Sequence, residues 1–138
     1  MTELRDLVSN GRLEYTIPGR PITKKNSMQI AYNRTTGRMF VRPSKAFEQY
    51  QEEAGWFLRG PTMRAMLAGR YNVKCVYYMP TRHKVDLGNL LAGTCDILVH
   101  FGVLADDNSN IVAAHDGSRV RYDKENPRVE ITITELED

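Results

Sequence analysis

The sequence is poor in the residues with which small proteins build covalent or metal cross-links. Among 138 residues there are two cysteines, Cys75 and Cys95, and one tryptophan. A disulfide framework or a cysteine-rich zinc site needs more thiols at closer spacing, so both are excluded. Each cysteine stands among apolar residues, and we expect both thiols to be buried and reduced.

Long apolar runs are also missing. No stretch approaches the ~20 residues that a membrane-spanning helix requires, and the first residues show no signal-peptide pattern. We therefore expect a cytoplasmic protein with no membrane partner. A chain in which 41% of residues are hydrophobic and 26% are charged predicts one globular domain, residues 1–138.

A net charge of +2 conceals an uneven distribution along the chain. Residues 1–85 contain 15 Lys and Arg against 6 Asp and Glu, a net charge of +9. Residues 86–138 contain 4 Lys and Arg against 11 Asp and Glu, a net charge of −7. A basic half beside an acidic half suits a polyanionic partner together with carboxylates that bind a cation, unless folding interleaves the two halves.

Strand and helix patterns alternate without a regular β-α-β repeat. Alternating apolar residues predict strands at 13–17, 71–79 and 129–134, and a hairpin at 28–42. Helical spacing predicts two main helices, at 43–60 and 87–101, and weaker ones at 2–9 and 62–69. This order favours a compact α+β domain in which the main helices pack on a mixed β-sheet.

Three aspartates flank the helix predicted at 87–101. Asp86 precedes it, in the ordinary place of an N-cap, and Asp106-Asp107 follows it after a short apolar turn. Taken singly, an N-cap and a solvated loop pair explain them. The carboxylates can meet only if the chain doubles back along the sheet, and their repulsion would then call for a divalent cation such as Mg²⁺ or Mn²⁺. Such a cation would activate water for attack on a phosphodiester.

The motif around these aspartates resembles the RusA family of Holliday junction resolvases. Its parts are Asp86-Leu87-Gly88-Asn89-Leu90-Leu91, then Asp96-Ile97-Leu98, then Gly102-Val103-Leu104-Ala105-Asp106-Asp107. The spacing is similar to the family pattern without a gap from Tyr71 to Asp107. Supporting features are Pro21 with Lys24-Lys25-Asn26-Ser27, Ser44 at a helix start, and the closing strand from Arg128 to Ile133.

The resemblance implies a homodimeric, Mg²⁺-dependent endonuclease of DNA recombination and repair that cuts four-way junctions by paired nicks. Carried over by position, Asp86, Asp106 and Asp107 would hold the metal, and Asp86 and Asp107 would be catalytic. An isologous dimer suits a two-fold junction because it supplies two symmetric sites. The resemblance also implies a bacterial or prophage-type cytoplasmic setting, and Mn²⁺ is the alternative ion.

Two positions depart from the family pattern. Gly88 stands where the family commonly has a second aspartate, and Ala92 where it often has a lysine. The missing carboxylate weakens metal binding, and the missing lysine removes a positive group near the phosphate. Two alternatives stay open. Either the protein cleaves with its three aspartates and water ligands, or it binds branched DNA with little or no cleavage.

Basic residues ahead of the motif are expected to contact DNA phosphates. The DNA-binding candidates are Lys24, Lys25, Asn26, Arg34, Arg38 and Arg82. Lys84, two residues before Asp86, is expected to act in catalysis beside the scissile phosphate. Asn89 and Asp96 face away from the leucine stripe of their helix, and either the orientation of a metal ligand or a dimer contact would explain them.

The segment between Val112 and Arg128 is predicted as a polar loop with a turn at Asp116-Gly117. Its Arg119 and Arg121 either touch DNA or belong to an ordinary loop. A third function also fits the α+β pattern, a small protein-interaction or RNA-binding domain in which Asp106-Asp107 is only an acidic loop pair. Preferential binding of a four-way junction over duplex would separate this function from both DNA-related ones.

Overall fold

In the computed structural model, a mixed sheet carries two main helices on one of its faces. The structure describes residues 3–8, 10–24, 28–43 and 45–136. In chain order its elements are α1 (Leu4–Leu7), β1 (Arg12–Pro18), β2 (Met28–Asn33), β3 (Arg38–Pro43), α2 (Lys45–Phe57), β4 (Tyr71–Met79), α3 (Leu87–His100), β5 (Val112–Ala114), β6 (Arg119–Tyr122) and β7 (Arg128–Glu135). The predicted α+β class, mixed sheet and two main helices are therefore confirmed.

Strand β4 lies at the centre of the main sheet. On one side it pairs antiparallel with β7, which in turn pairs antiparallel with β1. On its other side it pairs in parallel with β5 at its beginning and with β6 at its end. Strands β2 and β3 form a separate two-stranded antiparallel hairpin, as predicted. No helix in the described part of the chain combines the length and hydrophobicity that crossing a membrane requires.

The core lies between β4 and the two main helices. Alternate side chains of β4, including Cys75 and Tyr77, are buried on the helix side. The hydroxyl of Tyr77 bonds to that of Thr94 in α3 at 2.7 Å, so a polar pair inside the core is satisfied. Cys95 is also buried, neither cysteine forms a disulfide, and burial raises the pKa of each thiol to about 12. The prediction of buried, reduced cysteines is confirmed.

The weak helix prediction at 62–69 is wrong. This segment forms turns in which Arg64 and Met66 have φ values of 63° and 54°. Their backbone N–H groups donate to the carbonyls of Phe101 and Gly102, at 3.1 and 2.7 Å. Hydrogen bonds to a distant part of the chain thus replace those of a local helix, whose formation so short a segment favours only weakly. The helix predicted at 2–9 is shorter, a single turn at 4–7.

The polar segment after α3 contains two short strands that its sequence did not predict. Strands β5 and β6 occupy the same edge of β4 and are separated by a turn. Across this gap side chains continue the hydrogen bonding. The ring Nδ1 of His115 donates to the carbonyl of Val73 at 2.7 Å, and the Ser118 hydroxyl accepts from the N–H of Cys75 at 3.0 Å. His115 therefore has a structural role, and the turn is firmly attached to β4.

Candidate active site

Asp86 lies in the connection from β4 to α3 and caps the helix. Its Oδ1 accepts a hydrogen bond from the backbone N–H of Asn89 at 3.3 Å, and the backbone at Asp86 is extended. The side chain is otherwise exposed to solvent. The N-cap interpretation is confirmed, and the cap fixes the position of the carboxylate at the start of α3. Asn89 contributes to this arrangement through its backbone.

Asp106 and Asp107 follow a buried return of the chain after α3. Gly102 ends the helix with a φ of 70°. Residues 101–105 then form backbone hydrogen bonds with residues 64–67, and the side chains of Val103 and Leu104 are buried. The chain therefore doubles back along α3, and the backbone is held firmly just before the two aspartates.

The two adjacent aspartates differ in acidity. Asp106 accepts from the backbone N–H of Asp107 at 2.7 Å and from the amide of Asn108 at 3.1 Å, and these bonds lower its pKa. The pKa of Asp107 is raised by partial burial, by its hydrogen bond with Asp106 and by the negative charges of Asp96 and Asp106. Both oxygens of Asp106 thus accept hydrogen bonds within its own loop, whereas the negative charge of Asp107 is disfavoured by the charges of Asp96 and Asp106. We call Asp96, Asp106 and Asp107 the acidic cluster.

Asp96 joins this cluster from α3. It connects the cluster to the loop that follows β1, whose described part is residues 19–24 and which we call the first loop. Its Oδ2 forms an ion pair with the ammonium of Lys24 at 3.1 Å. The loop also packs closely at Gly93, where an added Cβ would lie 3.2 Å from Phe47 and 3.6 Å from the backbone nitrogen of Lys24. The structure thus brings together Lys24, Asp96 and Asp107, and the charge of Lys24 is shared with Asp96.

Gly88 and Ala92 are both exposed on α3, one helical turn apart. A Cβ added at Gly88 would have one near neighbour, Oδ1 of Asp86, at 3.2 Å. A carboxylate at position 88 would therefore lie beside that of Asp86, and the neighbour is a side-chain oxygen that can move by a few tenths of an ångström. This position offers room for the acid that the sequence lacks.

The carboxylates suit a hard cation in their chemistry but are few. Within residues 3–8, 10–24, 28–43 and 45–136, no three His, Cys, Asp or Glu side chains are grouped to hold a metal ion. The available donors are exposed carboxylate oxygens, the class that Mg²⁺ prefers, and Mg²⁺ usually keeps several water ligands. The raised pKa of Asp107 also indicates negative charge that a cation would relieve. The donor chemistry of Asp86 and Asp107 suits Mg²⁺, but the acids whose charge raises the pKa of Asp107 are Asp96 and Asp106, not Asp86.

Basic side chains line a cavity beside the connection that leads from β4 to Asp86. A cavity of about 270 Å³ lies between the first loop and the end of β4, and its lining includes Arg20, His83 and Lys84. Among the residues that the structure describes, no carboxylate lines it. The guanidinium of Arg82 instead stacks over the ring of Tyr122 at 4.2 Å. Arg20 and Tyr122 were not among the sequence candidates, since neither lies in a motif and only the fold brings each to this border.

The remaining DNA-binding candidates lie mostly on the hairpin. Arg34 is in its turn and Arg38 at the start of β3, and both are exposed. Cross-strand register places Arg38 on the same face as Phe40. The other two candidates, Lys25 and Asn26, lie outside the described residues.

A comparison with known protein families matches most of the chain. Residues 18–134 match the family described as endodeoxyribonuclease RusA. The chain belongs to the RusA family. RusA proteins are endonucleases that bind DNA and resolve Holliday junctions, so the match confirms the resemblance seen in the motif from Asp86 to Asp107. Comparison with individual curated proteins gave no match.

Proposed function

We propose that this RusA protein is a Mg²⁺-dependent endonuclease that resolves four-way DNA junctions by paired nicks. The observation that carries the proposal is the position of Asp107. The buried return after α3 holds it next to Asp96 and Asp106, where partial burial, a hydrogen bond with Asp106 and neighbouring negative charge together raise its pKa. A carboxylate in this situation gains more from a bound cation than an ordinary surface aspartate does.

Asp86 and Asp107 would hold the metal, each from a fixed piece of backbone. Asp106 would orient Asp107, because both its oxygens already accept hydrogen bonds within the loop. When bound, Mg²⁺ would supply an activated water and stabilise negative charge on the phosphodiester. Mn²⁺ offers the same coordination preferences and is the alternative ion.

The basic border would hold the scissile strand. Lys84, together with Arg20, would bind phosphate oxygens in the cavity next to the connection to Asp86, where no described residue of the lining is a carboxylate. Arg82, stacked on Tyr122, would contact the neighbouring backbone. Arg34 and Arg38 on the exposed hairpin would bind DNA farther from the reacting phosphate. Such contacts give affinity and position rather than sequence choice.

A homodimer is supported by the apolar face of the hairpin. Ile30, Tyr32 and Met39 share this face by cross-strand register, and they are 70%, 61% and 69% exposed. A two-stranded hairpin is only marginally stable in water by itself. A second copy that covers this face would bury apolar surface and leave the opposite face, which contains Arg38, accessible to DNA. Two copies would also supply the two symmetric cuts that a junction needs.

A second function, binding of branched DNA without cleavage, is favoured by the exposed Gly88 and Ala92. These positions leave Asp86 without a neighbouring carboxylate on α3 and leave the following turn without a positive charge. The DNA-binding surfaces would be unaffected, because they are built from other residues. The two functions therefore differ in cleavage and agree in binding.

Incubation of the purified protein with a labelled four-way junction and Mg²⁺ tests both functions. We expect paired, symmetric nicks, and Asp107→Asn should slow them by about 100-fold or more while keeping the retarded DNA complex. Glu52→Gln, which removes one exposed carboxylate from α2, is the control and should leave the rate unchanged.

A retarded complex without nicks at any Mg²⁺ or Mn²⁺ concentration would contradict the nuclease and leave the binding function. Equal affinity for the junction and for linear duplex would contradict both.

A further inference from the structure

A basic groove crosses the face of the sheet that the helices leave uncovered. It has a volume of about 350 Å³, and its lining includes Lys74, Val76, Tyr78, Arg119, Arg121 and Glu130. Val76 forms its floor and is 8% exposed, whereas the three basic side chains are exposed. We call this feature the basic groove. It lies on the opposite face of β4 from α3, the helix that Asp86 caps.

The pairing of β4 with β6 sets the positions of the two arginines. Arg119 lies beside Val76 and Arg121 beside Tyr78 in the parallel register. Residues two apart in a strand project from the same face and stand about 7 Å apart. The groove therefore holds two guanidinium groups in a row along one edge strand.

Lys74 is directed over the groove by the turn before β6. Gly117 has a φ of 87°, and an added Cβ would lie 3.2–3.5 Å from three carbons of the Lys74 side chain. The stem of Lys74 is thus packed on the backbone of the turn. The side chain of Asn72 holds the same turn, since its Oδ1 accepts from the N–H of Asp116 at 2.7 Å and its amide donates to the Asp116 carbonyl at 3.2 Å. The turn and the stem of Lys74 are consequently held in place.

The positive charge of the groove is not balanced inside the chain. Its carboxylate, Glu130, bonds to Arg128 at 3.0 Å, and Arg128 also binds Asp123 at 2.9 Å and stacks on Tyr78 at 3.8 Å. Among the described residues, no carboxylate forms an ion pair with Lys74, Arg119 or Arg121. Three exposed cations therefore face solvent together, against one carboxylate of the lining, Glu130, which is paired with Arg128.

We propose that the basic groove binds the phosphodiester backbone of a duplex DNA arm, as a second contact separate from the Asp86–Asp107 site. A row of exposed cations on a polar, open surface suits a polyanionic strand and offers little to an apolar ligand. The proposal rests on the proposed function, since it assumes that a junction is bound. Strand β6 would link the two contacts. Its Arg119 and Arg121 line the groove, whereas its Tyr122 lies on the other face and stacks with Arg82, four residues before Asp86.

Salt dependence of junction binding in the absence of divalent metal tests the proposal. The plot of log K against log salt has a negative slope, and each lost phosphate contact makes it shallower by about 0.9. Arg119→Gln with Arg121→Gln should therefore reduce the magnitude of the slope by about 2 and weaken binding by about 10-fold at low salt. Lys45→Gln with Arg59→Gln removes two exposed charges from the α2 side and should leave the slope unchanged. If the double variant does not fold, Lys74→Gln replaces it, because this change leaves strand β6 untouched. It should reduce the magnitude of the slope by about 1.

Three outcomes count against the proposal in distinguishable ways. A slope equal to that of the unaltered protein in the groove variants overturns the basic groove alone and leaves the proposed function standing. An equal fall in the control variant shows that general charge is responsible and also overturns it. Failure of the unaltered protein to bind either junction or duplex DNA overturns the proposed function and the groove together.

Discussion

Asp106 and Asp107 are neighbours in the chain, yet their pKa values shift in opposite directions. Hydrogen bonds from the loop lower the pKa of Asp106, and partial burial together with nearby acids raises that of Asp107. The sequence offers two equivalent aspartates, and the fold makes one of them a loop-stabilising acceptor. At this scale the number of carboxylate ligands decides how tightly the proposed site would hold Mg²⁺, since Gly88 adds none beside Asp86.

Gly88→Asp should restore a ligand and increase cleavage. The new carboxylate would lie beside Asp86 without meeting backbone, and the affinity for Mg²⁺ increases with the number of charged ligands. We expect the nicking rate at limiting Mg²⁺ to rise by about 10-fold or more. Gly88→Asn has the same size without the charge and should give no such increase. An unchanged rate for the aspartate variant would mean that the present site already has its full set of ligands.

At the scale of elements, the return of the chain after α3 decides where the acidic cluster stands. Helix α3 ends at His100, and Gly102, two residues later, lies so close to the turn around Arg64 that an added Cβ would be 2.9 Å from the Cα of that residue. Glycine is required there for two reasons, the positive φ and the close approach. The same contact explains why residues 62–69 form turns and not a helix.

Gly102→Ala should destabilise the protein more than the same change at Gly11. Both glycines have similar φ values, 70° and 73°, but a Cβ at Gly11 would meet nothing within 4 Å. The strained backbone alone costs about 1 kcal/mol, whereas overpacking at Gly102 should add about 1–3 kcal/mol to the loss in the free energy of unfolding. Urea denaturation of the two variants measures the difference. Equal losses in the free energy of unfolding would show that residues 101–105 shift to accommodate the new Cβ without further loss of stability.

At the scale of the whole molecule, surfaces of different chemistry lie on different parts of the fold. The helix side of the sheet carries the acidic cluster with its basic border, the other side carries the basic groove, and the hairpin adds an apolar face and a basic face. Each of these surfaces is assembled from segments far apart in the chain. The positive first half and the negative second half are thus interleaved at the candidate active site, where Lys24 pairs with Asp96.

Met39→Lys should dissociate the proposed dimer, and Phe40→Lys should not. The two residues are adjacent in β3 but lie on opposite faces of the hairpin, and only Met39 shares the face of Ile30 and Tyr32. A charge inside an apolar interface is costly, so we expect the dimer dissociation constant to increase by about 10-fold or more. Sedimentation equilibrium measures it directly. A monomeric unaltered protein, or equal effects of the two changes, would contradict this interface.

The sequence by itself determined the features that depend on neighbours along the chain. The alternation of β4, the hairpin around Gly37, the cap at Asp86 and the helix that follows are local patterns, and the spacing from Asp86 to Asp107 was enough to indicate the family. Lys25 and Asn26 stay predictions, because they lie outside the described residues. The roles of Asp86, Asp107 and Lys84 stay proposals as well.

Only the tertiary structure decided what depends on distant partners. The turns at 62–69, the split edge of β4, the pairing of Lys24 with Asp96 and the unequal acidity of Asp106 and Asp107 all follow from such contacts. Arg119 and Arg121 show the reason most clearly. Their sequence is that of a polar loop, and they become a row of cations because β4, fixed by the core and by β7, leaves an open edge for β6 to pair with. Periodicity describes a segment, whereas the partner of a segment is set by the free energy of the whole fold.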